Sequence, residues 1–156
     1  MIAFVREREE PYFKNRIVGK TILVVEDQAL LQQLAGQFLK ALGMQVSLAG
    51  NGAEALEKIK KQDYTFILMD LGLPDMKGQA VCEAILRWQK QEGRSLSRIA
   101  ALSAQLTPAE RQACFEAGMQ KAYEKPLKRE YLEELLEVHQ QQLKNSIPRK
   151  NKSACF

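Results

Sequence analysis

The chain has 156 residues, 46% hydrophobic and 27% charged, enough for one domain with a full core and too few for a second catalytic domain beside it. Five prolines and nine glycines exclude a fibrous or low-complexity chain, and apolar runs such as 66–69 fall far short of the ~20 residues a membrane span needs. The net charge of +4 sits in the two ends, residues 1–20 and 144–156, and no helix-turn-helix, zinc-finger or RNA-binding signature accompanies it, so neither nucleic acid nor membrane is expected as a partner.

Cys82, Cys114 and Cys155 are odd in number and lack CxxC spacing, which argues against a disulfide framework and a zinc cluster and suits a reducing cytoplasm. The opening MIAFVREREE has too short an apolar run for a secretory signal, and Cys155 is second from last, where prenylation is not indicated.

The predicted elements alternate strand and helix. Thr21 to Val25 is a β-branched run buried on both faces, ending in Glu26-Asp27. Leu30, Leu31, Leu34, Phe38, Leu39 and Leu42 then recur at helical spacing up to a stop at Gly43. Gln45 to Ala49 predicts an edge strand, and Asn51 with Glu54 caps a helix striped by Ala55, Leu56 and Ile59. Phe66 to Met69 runs into Asp70, followed by the loop from Leu71 to Asp75 and a helix bearing Val81, Ala84, Ile85 and Trp88. Ile99 to Leu102 is a fourth strand, ending at Ser103. Thr107, Pro108 and Glu110 are an N-cap, a first-turn proline and a capping glutamate for a helix that stops at Gly118. Ala122 to Glu124 predicts a fifth strand closed by Lys125-Pro126, and Leu132, Leu135, Leu136 and Leu143 stripe a last helix.

Five strand-helix units with short connections predict an α/β fold: a flavodoxin-like, doubly wound, five-stranded parallel sheet in the order 2-1-3-4-5, with helices on both faces. In that topology the crevice lies at the carboxyl ends of strands 1 and 3. Glu26, Asp27 and Asp70 meet there, and clustered carboxylates raise each other's pKa unless a cation neutralises them. A hard divalent ion suits them, with Mg2+ the expected cofactor because it accepts a few carboxylates and keeps positions for water and phosphoryl oxygens. Gly72 could add its backbone carbonyl. Strands 4 and 5 deliver Ser103 and Lys125 to the same edge, a hydroxyl and an ammonium able to clamp phosphoryl oxygens while the Asp70 carboxylate attacks phosphorus in line. Each residue alone is an ordinary turn or strand-exit residue; their joint placement at four strand ends carries the reading.

The stretches ILVVEDQ, ILMDLGLPDMKG, ALSA and EKP, in this order, make the chain resemble the receiver domain of two-component response regulators over roughly residues 20–143. The resemblance implies that Asp70 accepts a phosphoryl group from a phosphohistidine on a sensor histidine kinase or histidine phosphotransfer protein. It further implies that Glu26 and Asp27 hold magnesium, that Ser103 is the switch hydroxyl with the Ala104 backbone amide beside it, that Lys125 contacts the phosphoryl group, and that Lys125-Pro126 is cis. The docking surface for a histidine-bearing helix bundle would be the first and last helices. Residues 1–19 are expected as an N-terminal extension or linker, and 144–156 as a basic, disordered tail.

The sequence departs from that family at two places. The family's aromatic switch residue falls three positions before the lysine, where Ala122 stands; Tyr123, one place on, points to the opposite face of a strand and cannot substitute without a register change. Gly72 is small where many relatives carry a larger side chain, which predicts moderate or fast self-dephosphorylation. The lone His139 reads as a packing residue on the last helix rather than a phosphodonor, as do Trp88, Phe115 and Met119 on theirs. A haloacid-dehalogenase phosphatase would need a second Asp at position 72, and a flavin carrier would need Ser, Thr or Gly amides where Glu26-Asp27-Gln28 stands.

Overall fold

The computed structural model describes residues 16–146, with side chains through residue 137. The elements are β1 (Thr21–Val25), α1 (Ala29–Ala41), β2 (Gln45–Ala49), α2 (Gly52–Lys61), β3 (Phe66–Asp70), α3 (Gly78–Gln91), β4 (Arg98–Ser103), α4 (Pro108–Glu116), β5 (Lys121–Glu124) and α5 (Arg129–Ser146). They form one parallel sheet in the order β2-β1-β3-β4-β5, the expected doubly wound architecture.

Alternation along the strands divides the interior into two cores. Leu23, Val25, Ile67, Met69, Ile99, Ala101 and Ala122 face α2, α3 and α4, where Ile59, Val81, Ile85 and Cys114 meet them. Ile22, Val24, Phe66, Leu68, Ala100 and Leu102 face α1 and α5, packing against Leu39, Leu132, Leu135 and Leu136. β1 and β3 are covered on both faces, which is why they read as unbroken apolar runs rather than as an alternation. Ile17, within the stretch expected as an extension, is fully buried in the second core. His139 and Leu143 lie outside the residues whose side chains are described.

The helix starts follow their sequence signals. Asn51 Oδ1 accepts the Glu54 amide at 2.8 Å, and Thr107 and Glu110 form a reciprocal capping box with Pro108 in the first turn. Two expectations fail. The leucine stripe of α1 is wider than the face that the sheet can cover, so Leu39 is buried while Leu30 and Leu34 are 68% and 52% exposed. Phe115, expected to pack, is 41% exposed, because α4 turns Cys114 and Ala117 rather than Phe115 to the sheet. Among the described residues, no helix is long and apolar enough to cross a membrane.

Candidate functional site

The strand ends bring the charged residues together. β1 continues its ladder one residue past Val25, with the Glu26 amide donating to the Ala49 carbonyl at 2.9 Å. β3 carries Asp70 as its last residue, opposite Leu102, and the amide of Lys125 donates to the Ser103 carbonyl at 2.8 Å just beyond β5. Parallel strands with aligned ends thus place their exits along one edge of the sheet. The Lys125-Pro126 peptide is cis, as expected.

Carboxylate oxygens of Glu26, Asp27 and Asp70 lie within 4.8 Å of one another. Glu26 and Asp70 are buried, at 5% and 6% exposure, while Asp27 faces solvent. The Lys125 ammonium sits between the two buried ones, 2.8 Å from Glu26 Oε2 and 3.4 Å from Asp70 Oδ1. Burial raises the Glu26 pKa, and the Asp70 charge adds to this against the opposing pull of Lys125. Burial pulls the Lys125 pKa down, but its hydrogen bond to Glu26 and the two neighbouring carboxylates outweigh that and hold it above the ordinary value, so it is cationic at neutral pH. One ammonium cannot balance three carboxylates, and a hard, oxygen-seeking cation matches this donor set.

Ser103 reaches the same edge, 8% exposed, where its hydroxyl donates to the Gln105 carbonyl at 2.7 Å; Ala104 follows it at the exposed start of the loop. Gly72 begins the loop after β3, and its amide donates to Asp70 Oδ1 at 3.0 Å. That loop returns immediately over the end of β3. A Cβ at Gly78 would lie 2.6 Å from the Asp70 carbonyl oxygen, so only glycine lets α3 start so close to it.

Ala122 is buried in the core beneath α4, whereas Tyr123 faces the other side of the sheet. There its ring stacks on Tyr131 at 3.9 Å and its hydroxyl donates to Glu134 Oε2 at 2.6 Å. Strand alternation therefore holds through β5 with no bulge, and Tyr123 does not stand in for an aromatic group at position 122.

Several supporting residues escaped the sequence reading. Gln32 donates from its side-chain amide to the Glu26 carbonyl at 3.2 Å, one helical turn past the strand exit it steadies. Asp75 accepts the amides of Gly52 and Ala53, across to α2. A groove of about 260 Å³ runs from Glu26 and Lys125 past Pro126 and Leu127 to Leu31, Leu34 and Phe38 of α1. Its one sequence signal is the excess of leucines at the start of α1.

Comparison with known proteins agrees with this geometry. The chain is 30% identical to Hybrid signal transduction histidine kinase L of Dictyostelium discoideum over 134 residues, 84% of this chain and 8% of that protein. It is 30% identical to the signal transduction histidine-protein kinase BarA of Escherichia coli over 119 residues, 76% of this chain and 13% of that protein. The chain thus spans a small part of these relatives. Among solved structures, the receiver domain of the Pseudomonas aeruginosa sensor histidine kinase PA1611, with a magnesium ion coordinated in its active site cleft, matches at 34% identity and a TM-score of 0.65, covering 78% of this chain and 97% of that one. The receiver domain of Saccharomyces cerevisiae Ssk1, in co-crystal with the histidine phosphotransfer protein Ypd1, matches at 27% identity and a TM-score of 0.72, covering 81% and 92%. The model of the response regulator receiver domain family matches residues 22–137, and with the sheet order and the acidic edge already described, the chain belongs to that family as a receiver domain of two-component signalling.

Proposed function

We propose that Asp70 is the phosphoacceptor of this receiver and that the domain catalyses its own phosphorylation from a phosphohistidine. The observation that carries this is the placement of Asp70 Oδ1 at 3.4 Å from the Lys125 ammonium, inside a cluster with Glu26 and Asp27 at the carboxyl edge of the sheet. The Asp70 carboxylate needs no general base; its oxygen forms the bond to phosphorus as the bond to the histidine nitrogen breaks. Lys125 then exchanges part of its pairing with Glu26 for a phosphoryl oxygen, and Ser103 exchanges the Gln105 carbonyl for another. Glu26, Asp27, Asp70 and the Gly72 carbonyl would hold Mg2+, which supplies neutralisation of the carboxylates and of the incoming phosphoryl oxygens. Ala104 would present its backbone amide beside Ser103.

The partner is a sensor histidine kinase or histidine phosphotransfer protein, docked on α1. The groove that supports this is lined by Glu26 and Lys125 at one end and by Leu31, Leu34 and Phe38 at the other, so a helix seated on the leucines brings its histidine beside the cluster. Cytoplasmic residence belongs to the same reading, and the free thiols of Cys82 and Cys114 suit it.

The test is incubation with a small-molecule phosphodonor and magnesium, followed by mass-spectrometric mapping. Labelling is expected on Asp70 and lost in Asp70→Asn; equal labelling of that variant would remove the assignment. Leu34→Asp, at a solvent-exposed position, is expected to slow transfer from a phosphotransfer protein while leaving labelling by the small donor intact.

A further inference from the structure

The loop after Asp70 is fastened at both ends. At its start the Leu71 amide donates to the Leu102 carbonyl at 3.2 Å and the Gly72 amide to Asp70 Oδ1 at 3.0 Å. At its far end the Asp75 carboxylate spans the N-terminus of α2, Oδ1 accepting from Gly52 at 2.9 Å and Oδ2 from Ala53 at 3.0 Å. The first amides of a helix lack intrahelical partners, and α2 has its own cap in Asn51, which takes the Glu54 amide. The two amides that Asn51 leaves are satisfied from more than 20 positions away in sequence.

The packing shows how closely the loop and helix are drawn together. A Cβ on Gly52 would meet Val81 Cγ2 at 2.8 Å and Met76 Sδ at 3.1 Å. Only Leu73 and Pro74 separate Gly72 from Asp75, and the fixed φ of proline leaves that stretch little slack. Movement of the Asp75 end is therefore passed to Gly72, whose amide is bonded to Asp70 Oδ1.

We propose that Asp75 is a positioning residue: by tying the loop from Leu71 to Asp75 to the N-terminus of α2, it fixes the Gly72 carbonyl above Glu26, Asp27 and Asp70 and so sets the affinity of that cluster for a divalent cation. This rests on the functional reading above, in which those groups hold Mg2+.

Calorimetric titration of the full chain with magnesium chloride, paired with thermal melts, tests it on Asp75→Ala, Asp75→Asn and Asn51→Ala. Asp75→Ala is expected to weaken magnesium binding about tenfold, the lower end of what loss of a group supporting a metal ligand does. Asp75→Asn keeps one acceptor oxygen and is expected to fall between. Asn51→Ala uncaps the same helix without touching the loop, so it lowers the melting temperature and leaves the magnesium affinity unchanged. Unaltered affinity in both Asp75 variants, or an equal loss in Asn51→Ala, would overturn the proposal; if Asp75→Ala does not fold, the Asp75→Asn titration decides by the same comparison. Failure of the unsubstituted chain to bind magnesium would overturn the functional reading and this one with it, whereas binding that Asp75 variants do not alter would overturn this one alone.

Discussion

The three inner strands, β1, β3 and β4, each change character within one or two residues. In their bodies, Val25, Met69 and Ala101 are at most 1% exposed and wholly apolar; at the carboxyl edge, Glu26, Asp70 and Ser103 are almost as buried and carry charge or a hydroxyl. Close-packed apolar side chains lower the free energy of the fold, while two buried carboxylates beside a third repel one another and lose hydration. The same backbone scaffold thus holds a stabilising layer under a destabilising one, and the second persists because the first is strong enough to carry it.

The sharpest break in that comparison is a pair of substitutions three residues apart on β3. Ile67→Ala in the body is expected to cost about 2–5 kcal/mol in chemical denaturation. Asp70→Asn at the edge is expected to leave stability equal or higher, since it removes a charge that raises the Glu26 pKa. A comparable loss in both variants would refute the contrast. Next in size, Lys125→Met strips the cation from Glu26 and Asp70, and a loss of about 2 kcal/mol is expected, below the ~3–5 of a fully buried pair because the ammonium is still 19% exposed. Adding Glu26→Gln should restore much of it in a double-mutant cycle, and additive losses would show that the pair is not coupled.

Thr107→Ala, far from the edge, removes the capping box of α4 and should cost about 1 kcal/mol in the same denaturation assay without altering Asp70 labelling. Gly72 offers a kinetic counterpart. A Cβ there meets only Asp70 Oδ1, at 3.8 Å, so Gly72→Met fits, shields the Asp70 carboxylate and is expected to lengthen the lifetime of the phosphorylated form several-fold, followed by loss of the labelled mass.

The smallest effect concerns pH. The Gly52 and Ala53 amides hold the Asp75 carboxyl below its ordinary value of 3.8. A depressed carboxyl contributes stability that is present above the ordinary value and disappears as pH falls through the folded-state pKa. Glu26 has the opposite sign: burial raises its pKa, so protonating it on acidification favours the folded state. Melting temperatures between about pH 5 and about pH 2 should therefore decline less steeply in Asp75→Asn than in the unsubstituted chain, and parallel curves would remove Asp75 from the acid limb.

Much of this architecture was readable in advance because it rests on local rules. Apolar runs that end in a charged residue marked β1 and β3, and a capping residue followed by glutamate marked the starts of α2 and α4. Tyr123 was assignable to the face away from Ala122 by counting alternate residues. What escaped the reading needed partners distant in sequence. The exposure of Leu30 and Leu34 depends on how much of α1 the sheet can cover, and the burial of Ile17 on its joining the core that the sheet builds with α1 and α5. The Asp75 link depends on where α2 begins in space, for which an aspartate in a proline-containing loop gives no signal.

Sequence alone determined the element order, the parallel sheet and which residues stand at its carboxyl edge, because periodicity and strand exits are properties of short segments. Tertiary structure decided that Lys125 pairs first with Glu26, that Ser103 is engaged by Gln105, that Asp75 fastens the loop after β3 to α2, and that Leu31 and Leu34 of α1 border a groove leading to Glu26 and Lys125. The physical reason is that hydrogen bonds, ion pairs and solvent exposure are set by distances between segments, and these exist only once the sheet has twisted and the helices have packed on it.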